Sequence, residues 1–315
     1  MAQIKESMGV GMNKLVSIIL PVYNGQKYIE SLLASLYFQT YRPIKLIISD
    51  DGSKDESNKI IMNWTESISD RDFIIKYIRK EQNEGLSANI NSAAKYIEGD
   101  YIFLADQDDL WKKDKVKKQV EYLEANQDCF VCLCDRSIID EDNKLLCKSE
   151  ATYKHIRYRK MDYSQVLCKP SIYAANCMVF RNEHLEKIFP IPRKICEHDT
   201  FIMLMVMHYG NLGFISEPLI EYRIHSNNLS QSFFVETSNS ILRCFKGYVK
   251  HLKRMDSVCK IDSYLIKRYL KDRFHENLSE RNNQILDRKT AYIYMEALKK
   301  TLHALSEGKL NQFYK

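Results

Sequence analysis

The chain has 315 residues, of which 45% are hydrophobic and 28% charged, and it carries 10 glycines and 6 prolines. This is the composition of a globular protein with a substantial core, and it excludes a disordered, collagen-like or disulfide-stapled chain. The net charge of +6 is uneven, because residues 241–315 hold 17 Lys and Arg against 8 Asp and Glu, which leaves residues 1–240 at −3.

Strands and helices are predicted to alternate along the first part of the chain. Apolar runs predict strands at residues 15–22, 44–48, 73–78 and 101–105, and helical spacing of apolar residues predicts helices at 28–38, around 60–64 and at 86–96. Because these strands are almost continuously apolar, the sequence predicts an α/β fold with a mainly parallel sheet covered by helices on both faces. Ligands of such sheets bind beyond the carboxyl ends of the strands.

Two clusters of carboxylates follow predicted strands. Asp50 and Asp51 come after the second strand, and Asp106, Asp108 and Asp109 come after the fourth. No basic residue lies beside either cluster in sequence, so their repulsion favours a compensating cation, and aspartate oxygens suit Mg²⁺ or Mn²⁺. Helix capping in a turn explains the first pair equally well, whereas the second cluster exceeds what capping requires.

Phosphate-binding loops are absent from the sequence. No Gly-x-Gly-x-x-Gly pattern follows the first strand, and Gly-x-x-x-x-Gly-Lys-Ser/Thr occurs nowhere. A dinucleotide-binding domain and a phosphate-loop ATPase are therefore disfavoured. The acidic clusters indicate instead a nucleoside diphosphate whose charge a metal ion neutralises.

The only cluster among the nine cysteines is formed by Cys129, Cys132 and Cys134. No second pair of Cys or His follows at the spacing of a zinc site, and the run is apolar and of strand length. The sequence therefore predicts buried thiols in a strand. An odd number of scattered cysteines also fits a reducing compartment.

The C-terminal part, residues 231–315, is predicted to be a basic helical region that follows the α/β domain. Its charge has two interpretations, a surface for anionic lipid headgroups or a solvated helical face. A homodimer interface formed by the helices also explains the segment without a membrane. No apolar run reaches the about 18 residues of a membrane-spanning helix, and no signal peptide is evident. We expect a cytoplasmic protein, peripheral at most to the inner face of the cell membrane, with no nucleic-acid partner.

Four short motifs give the chain a resemblance to a known family. They are Pro21-Val22-Tyr23-Asn24, Asp50-Asp51-Gly52-Ser53, Asn83-Glu84-Gly85-Leu86-Ser87 and Asp106-Gln107-Asp108-Asp109-Leu110-Trp111. In this order and at these separations they resemble family 2 glycosyltransferases of the GT-A fold, in particular bacterial rhamnosyltransferase-like enzymes of cell-surface polysaccharide synthesis. The likeness continues through Glu217-Pro218-Leu219 and the segment around His225, so it covers residues 14–230, the predicted catalytic domain.

The resemblance implies a binding site for a nucleotide-sugar donor. Pro21, as part of a loop with Tyr23, and Asp51 would hold the base and ribose. Asp51 would accept a hydrogen bond from N3 of uracil or thymine, which favours UDP or dTDP donors. Asn83 of the third motif would also bind the donor, and Asp106 would lie near the ribose.

The resemblance also implies a site for Mn²⁺ or Mg²⁺. Asp108 would coordinate the ion, Asp106 would lie near it or its water, and His225 would be a further ligand or a contact to the diphosphate. For Asp109 and Trp111 two interpretations stay open, a part in the site or the roles of helix cap and core aromatic.

Asp199 is the implied catalytic base. Inverting transfer requires a carboxylate that takes the proton of the acceptor hydroxyl as its oxygen attacks the anomeric carbon. At the start of an apolar helix the helix dipole favours the ionised form of Asp199. Glu197 and His198 are the alternatives if the register differs, and helix capping is the structural alternative.

The expected activity is inverting, metal-dependent transfer of a hexosyl group to a hydroxyl of a saccharide or lipid-linked saccharide. Residues 173–178 stand where relatives often have a Gly-rich segment, so the acceptor pocket is an open point, as is the sugar itself. Two other classes remain, a sugar-nucleotide nucleotidyltransferase and a non-catalytic module that binds nucleotide sugars.

Overall fold

The structure is a computed structural model that describes residues 13–155, 174–191, 198–206 and 209–226. The strands are β1 (Val16–Val22), β2 (Ile44–Asp50), β3 (Phe73–Arg79), β4 (Tyr101–Leu104), β5 (Leu110–Trp111), β6 (Cys129–Ile139), β7 (Leu145–Cys147), β8 (Met178–Arg181) and β9 (Asn211–Arg223). The helices are α1 (Ile29–Tyr37), α2 (Ser57–Ser67), α3 (Leu86–Ala94), α4 (Lys115–Ala125), α5 (Glu150–Tyr153), α6 (Leu185–Ile188) and α7 (His198–Val206), and a 3₁₀ turn spans Ala175–Cys177.

These strands form one mixed sheet in the order β3-β2-β1-β4-β8-β6-β9-β5, and β7 pairs with β6. The first four strands are parallel, with Val16 beside both Ile44 and Tyr101. Strand β8 runs antiparallel to β4 and β6, whereas β9 runs parallel to β6. The predicted α/β fold is confirmed, and the sheet is more mixed beyond β4 than its first half indicates.

The apolar runs become the central strands because both faces of the sheet are covered. Every residue of β1 and β2 is buried. Helix α1 packs through Ile29, Leu32, Leu33 and Leu36, which is the face that its sequence predicts. The core of the domain therefore lies on both sides of the parallel strands.

Strands β1 and β2 run on into the motifs that follow them. Asp50 is the last residue of β2, two positions beyond the predicted end, and it is buried. Pro21, expected in a loop, is a buried residue of β1 that pairs with Ser49. Because β1 and β2 are in register, Val22 lies beside Asp50, so the chain segments after both strands leave the sheet together.

The prediction that the clustered cysteines are buried thiols of a strand is confirmed. Cys129, Cys132 and Cys134 are buried in β6, and all three are free thiols. Strand β6 lies inside the sheet between β8 and β9, which explains why it accepts small apolar side chains on both faces.

The predicted helical region, residues 231–315, lies outside the described residues, as does the end of the predicted catalytic domain beyond residue 226. The predicted division of the chain into residues 14–230 and 231–315 therefore stays a prediction. Within the described ranges, no helix is long and apolar enough to cross a membrane.

Candidate active site

The Asp51 carboxylate joins the end of β2 to the turn before α3. Its Oδ2 accepts hydrogen bonds from the backbone N–H groups of Gly85 (2.8 Å) and Glu84 (3.1 Å). Its Oδ1 lies 3.0 Å from the Lys80 ammonium, but accepts no hydrogen bond from the described residues. Asp51 is buried, so this oxygen is held in place with capacity for one further donor.

Asp50 stabilises the turn that Asp51 occupies. Its Oδ1 accepts a hydrogen bond from the Ser53 N–H (2.9 Å), its Oδ2 accepts one from the Tyr77 hydroxyl (3.3 Å), and Arg79 Nε lies 3.4 Å from the same oxygen. Burial and the Asp50 carboxylate raise the pKa of Tyr77 above its usual range. The position of Asp50 is that of a structural residue rather than of a ligand.

Basic residues at the end of β3 and directly after it therefore compensate the first carboxylate pair. Arg79 faces Asp50, and Lys80 faces Asp51. The sequence suggests an uncompensated pair because Arg79 and Lys80 lie about thirty residues away along the chain, and the register of β2 with β3 brings them alongside. Lys80 is the residue of this region that sequence reasoning misses.

The β1 end is connected to the second acidic cluster through Gln107. Its side-chain Oε1 accepts a hydrogen bond from the Tyr23 N–H (2.9 Å), and its Nε2 donates one to the Tyr23 carbonyl (3.1 Å). Tyr23 itself is 42% exposed. The exposed Asn83 accepts a hydrogen bond from Gly85 N–H through Oδ1 (3.0 Å). Tyr23 and Asn83 thus lie in loops at the carboxyl edge of the sheet, where a ligand would bind.

The second acidic cluster brings Asp106 close to Asp108 and Asp199. Burial, together with the negative charges of Asp108 and Asp199, raises the pKa of Asp106 to about 7, and the Arg136 guanidinium opposes this rise. Asp199 lies in the first turn of α7 and is half-buried. The fold therefore places a carboxylate from the end of β4 and one from α7 within electrostatic reach of each other.

The Asp199 side chain does not occupy the cap position of α7. The helix begins at His198, so Asp199 is its second residue. The alternative base His198 is described as half-buried, and Glu197 lies outside the described residues. At this place in the first turn the helix dipole stabilises a carboxylate.

Asp108 and His225 are in direct contact. The Nε2 atom of His225 lies 2.9 Å from Asp108 Oδ2, and the imidazole ring packs 5.1 Å from the ring of Tyr28. The Arg223 guanidinium lies 4.6 Å from the same Tyr28 ring. Strand β9 thus delivers His225 to the acidic cluster, although 117 positions separate it from Asp108.

Asp109 is part of the scaffold beneath this pair. It is fully buried and accepts hydrogen bonds from Asn176 Nδ2 (2.5 Å) and from the Arg223 N–H (3.1 Å). Burial, with the charges of Asp108 and Asp106, raises its pKa well above the usual range of a carboxyl. It is not a helix cap. Of the two interpretations of Trp111, the structure supports the core aromatic, because the residue is buried in β5 with its ring 5.7 Å from that of Phe103.

The second acidic cluster offers a divalent cation a small number of protein ligands. Within the part of the chain that the structure describes, no three His, Cys, Asp or Glu side chains converge to hold a metal ion by themselves. Asp108 and His225 form a two-residue donor set within a negatively charged cluster, with side chains that are 18% and 11% exposed. This set fits an ion that takes its other ligands from water and substrate phosphates, as Mg²⁺ commonly does.

Residues 17–189 match glycosyl transferase family 2. The chain belongs to this family. Two relatives of this family 2 glycosyltransferase have described roles. The putative teichuronic acid biosynthesis glycosyltransferase TuaG of Bacillus subtilis is 29% identical over 218 residues, 69% of this chain and 82% of TuaG. The Escherichia coli UDP-Glc:alpha-D-GlcNAc-diphosphoundecaprenol beta-1,3-glucosyltransferase WfgD is 25% identical over 224 residues, 70% of this chain and 82% of WfgD.

Solved structures agree with the fold of this glycosyltransferase. S. aureus TarS in complex with UDP-GlcNAc superposes with a TM-score of 0.57 at 16% identity, covering 95% of this chain and 89% of that one. The mannosyltransferase PcManGT from Pyrobaculum calidifontis, in complex with GDP-Man and Mn²⁺, gives 0.56 at 16% identity, covering 94% of this chain and 76% of that one. At this identity the likeness establishes the GT-A fold alone.

Proposed function

We propose that this family 2 glycosyltransferase moves a hexosyl group from a UDP- or dTDP-sugar, with inversion, to a hydroxyl of a saccharide or lipid-linked saccharide in cell-surface polysaccharide synthesis. The observation that carries the proposal is the convergence of Asp106, Asp108 and Asp199 at the carboxyl edge of the sheet, the same edge at which β2 ends before Asp51. The names of TuaG and WfgD support the acceptor class, since one refers to teichuronic acid and the other to a diphosphoundecaprenol-linked sugar. Family membership favours glycosyl transfer over nucleotidyl transfer.

The donor base is proposed to bind at Asp51. The Oδ1 atom of this buried carboxylate accepts no hydrogen bond from the described residues, so it keeps capacity for a donor, which the N3 hydrogen of uracil or thymine would supply. Lys80, 3.0 Å away, presents an ammonium that can donate to a carbonyl oxygen of the same ring. Tyr23 and Asn83 are exposed and line the proposed nucleoside site at the sheet edge, while Pro21 is buried in β1 and supports the loop of Tyr23 from within the strand.

A divalent cation, Mn²⁺ or Mg²⁺, is proposed to bind at Asp108 and His225, with Asp106 beside it. When bound, such an ion neutralises the charge of the diphosphate leaving group. Burial and, after it, the charges of Asp108 and Asp199 raise the pKa of Asp106, and the contribution of these charges supports the placement because a cation would relieve it. The Mn²⁺ in the PcManGT complex supports the choice of ion.

Asp199 is proposed to act as the general base. The acceptor hydroxyl oxygen forms a bond to the anomeric carbon, its proton passes to Asp199, and the bond from that carbon to the phosphate oxygen breaks with both electrons leaving on the nucleoside diphosphate. The carboxylate is held in the first turn of α7, so it is oriented before the acceptor arrives.

Asp199→Asn tests this proposal. We expect transfer, and slow hydrolysis of the donor, to fall by about 10²- to 10⁴-fold because the base is lost. Binding of UDP or dTDP with Mn²⁺, measured by calorimetry, should be retained because Asp51 and Asp108 are unchanged. Asp142→Asn, on the exposed turn between β6 and β7, is the matched control and should keep full activity.

A thermal-shift screen of UDP-, dTDP- and GDP-sugars, each with Mn²⁺ or with a chelator, tests the donor and the metal. Stabilisation by UDP or dTDP that requires Mn²⁺ is the expected result. Equal stabilisation in chelator would contradict the metal assignment. A protein that binds a donor but never turns it over with any acceptor of a saccharide panel is a binding module, and the enzymatic proposal would be wrong.

The cytoplasmic location and the membrane or homodimer contact of residues 231–315 stay predictions, because those residues lie outside the described ranges.

A further inference from the structure

We propose that Asp109 is a positioning residue, which together with Asn176 sets the places of Asp108 and His225. The inference rests on the proposed function, because that function gives Asp108 and His225 their role. The effect of Asp109 on the positions of these two residues can be tested separately. Asp109 and Asn176 are both fully buried, so neither is available as a ligand for substrate or metal. Their effect on the site is therefore transmitted through the residues that they hold.

Three separate segments of the chain meet at the Asp109 side chain. The residue belongs to the acidic turn after β4, and its N–H donates a hydrogen bond to the Asp106 carbonyl (3.4 Å). Its Oδ2 accepts a hydrogen bond from Asn176 in the 3₁₀ turn before β8, and its Oδ1 accepts one from the N–H of Arg223 at the end of β9. A carboxylate is suited to this place because it offers two acceptor oxygens in one plane.

The connection continues from Asp109 to the functional pair through Arg223. The Nε of Arg223 donates a hydrogen bond to the backbone carbonyl of Asp108 (2.9 Å), and His225 lies two residues after Arg223 in the same segment. The 2.9 Å contact between His225 and Asp108 thus joins the same two chain segments that Asp109 connects through Arg223. If the anchor is released, the end of β9 can shift relative to the acidic turn, and both members of the pair move.

The unpaired oxygen of Asn176 makes a conservative substitution informative. Asn176 Oδ1 is buried and has no hydrogen-bond partner among the described residues. In Asp109→Asn the new Oδ1 can still accept from the Arg223 N–H, while its Nδ2 donates to Asn176 Oδ1 once the Asn176 amide turns over. Position is then kept, while the carboxyl group is replaced by an amide. In Asp109→Ala both hydrogen bonds are lost.

The first measurement follows His225 itself in the full-length protein. Carbethoxylation of His225 by diethyl pyrocarbonate, mapped by mass spectrometry, should be at least about fivefold faster in Asp109→Ala, because outer-shell hydrogen bonds hold such imidazoles in place. Asp109→Asn should react at the rate of the unaltered protein. Arg181→Met is the control, since Arg181 is buried at the opposite end of β8 and holds the carbonyls of Cys129 and Leu123. It should lower stability without changing the reactivity of His225.

The second measurement is the dissociation constant of Mn²⁺ in the presence of saturating UDP, from electron paramagnetic resonance of free Mn²⁺. We expect Asp109→Ala to weaken binding by about 10- to 100-fold, and Asp109→Asn to stay within about threefold. Arg181→Met should bind Mn²⁺ as the unaltered protein does below its melting temperature.

The outcomes separate this inference from the proposed function. If the unaltered protein binds no Mn²⁺ with UDP, yet His225 becomes reactive only in Asp109→Ala, the metal proposal falls and the positioning role stands. If Asp109→Ala changes neither reactivity nor Mn²⁺ affinity, the positioning role is wrong. It is also wrong if Asp109→Asn changes His225 reactivity and Mn²⁺ affinity as much as Asp109→Ala does. The carboxyl group itself, rather than the hydrogen bonds that hold the two segments, would then matter.

Discussion

The raised pKa of Asp106 makes the stability of the metal-free protein depend on pH in a defined direction. In the folded chain the pKa rises from 3.8 to about 7, so between these values the folded state holds a proton that the unfolded state has released. Stability from this group is therefore complete at acidic pH and is lost as the pH rises through about 7. Asp106→Asn, which resembles the protonated side chain, should remove that loss.

The expected size follows from the same shift. A rise from 3.8 to about 7 corresponds to at most about 4 kcal/mol of unfolding free energy. Because Asp106 keeps partial contact with solvent, we expect about 2 kcal/mol. Asp106→Asn should thus be about 2 kcal/mol more stable than the unaltered protein near pH 8, and equally stable near pH 4.

Urea denaturation in a chelator, followed by circular dichroism at both pH values, measures this difference. Comparison of variants cancels the contributions of groups remote from the acidic cluster, whereas Asp109, whose pKa the Asp106 charge helps to raise, contributes to the measured difference. Asp70→Asn is a control of opposite sign, because the Asp72 N–H and the Arg42 guanidinium lower the pKa of Asp70. That variant should lose stability at neutral pH and not at strongly acidic pH. An Asp106→Asn gain that is the same at both pH values would refute the proposed crowding of carboxylates.

Two further predictions concern stability. Gly52 and Gly85 both have positive φ, but a Cβ at Gly52 would lie 2.9 Å from the Gln82 backbone, whereas one at Gly85 meets nothing within 4 Å. Both alanine variants carry backbone strain, about 1–3 kcal/mol at Gly85, whose φ of 91° and ψ of 159° are essentially confined to glycine. Gly52→Ala adds the clash with the Gln82 backbone, about 1–3 kcal/mol; equal melting temperatures would contradict the clash. Lys115 is fully buried beside Gln119, and burial lowers its pKa. Lys115→Met should raise the free energy of unfolding at neutral pH by about 1–2 kcal/mol. This gain should shrink toward pH 10, where the lysine of the unfolded chain also loses its proton. An unaltered protein that is more stable than Lys115→Met at neutral pH would contradict this prediction.

The two acidic clusters differ in how their charge is balanced. Asp50 and Asp51 face Arg79 and Lys80 across the β2–β3 pairing, so their ionisation is compensated within the protein. In the second cluster, Arg136 opposes the rise in the pKa of Asp106, but this guanidinium also forms a two-point ion pair with Glu150. Its charge is shared, and the remaining imbalance lies where a cation and a diphosphate are proposed to bind.

The sequence by itself determined the elements and the order of the motifs. Continuous apolar runs predict β1 to β4 because a parallel strand covered on both faces has no solvent side, and the predicted face of α1 is the one that packs. The motifs could be placed at strand ends for the same reason. These features depend on neighbouring residues, so local sequence is sufficient to specify them.

The tertiary structure decided which side chains meet. Lys80 faces Asp51 because β2 and β3 pair in register. His225 reaches Asp108 because β5 pairs antiparallel with the end of β9, which sets Leu110 beside Glu221. Asn176 reaches Asp109 because β8 starts beside the end of β4. Such contacts join residues 29 to 117 positions apart, and their geometry is set by strand order and register. Local propensity carries no information on strand order, so Asp109, a candidate helix cap by sequence, is in the fold a buried anchor of three segments.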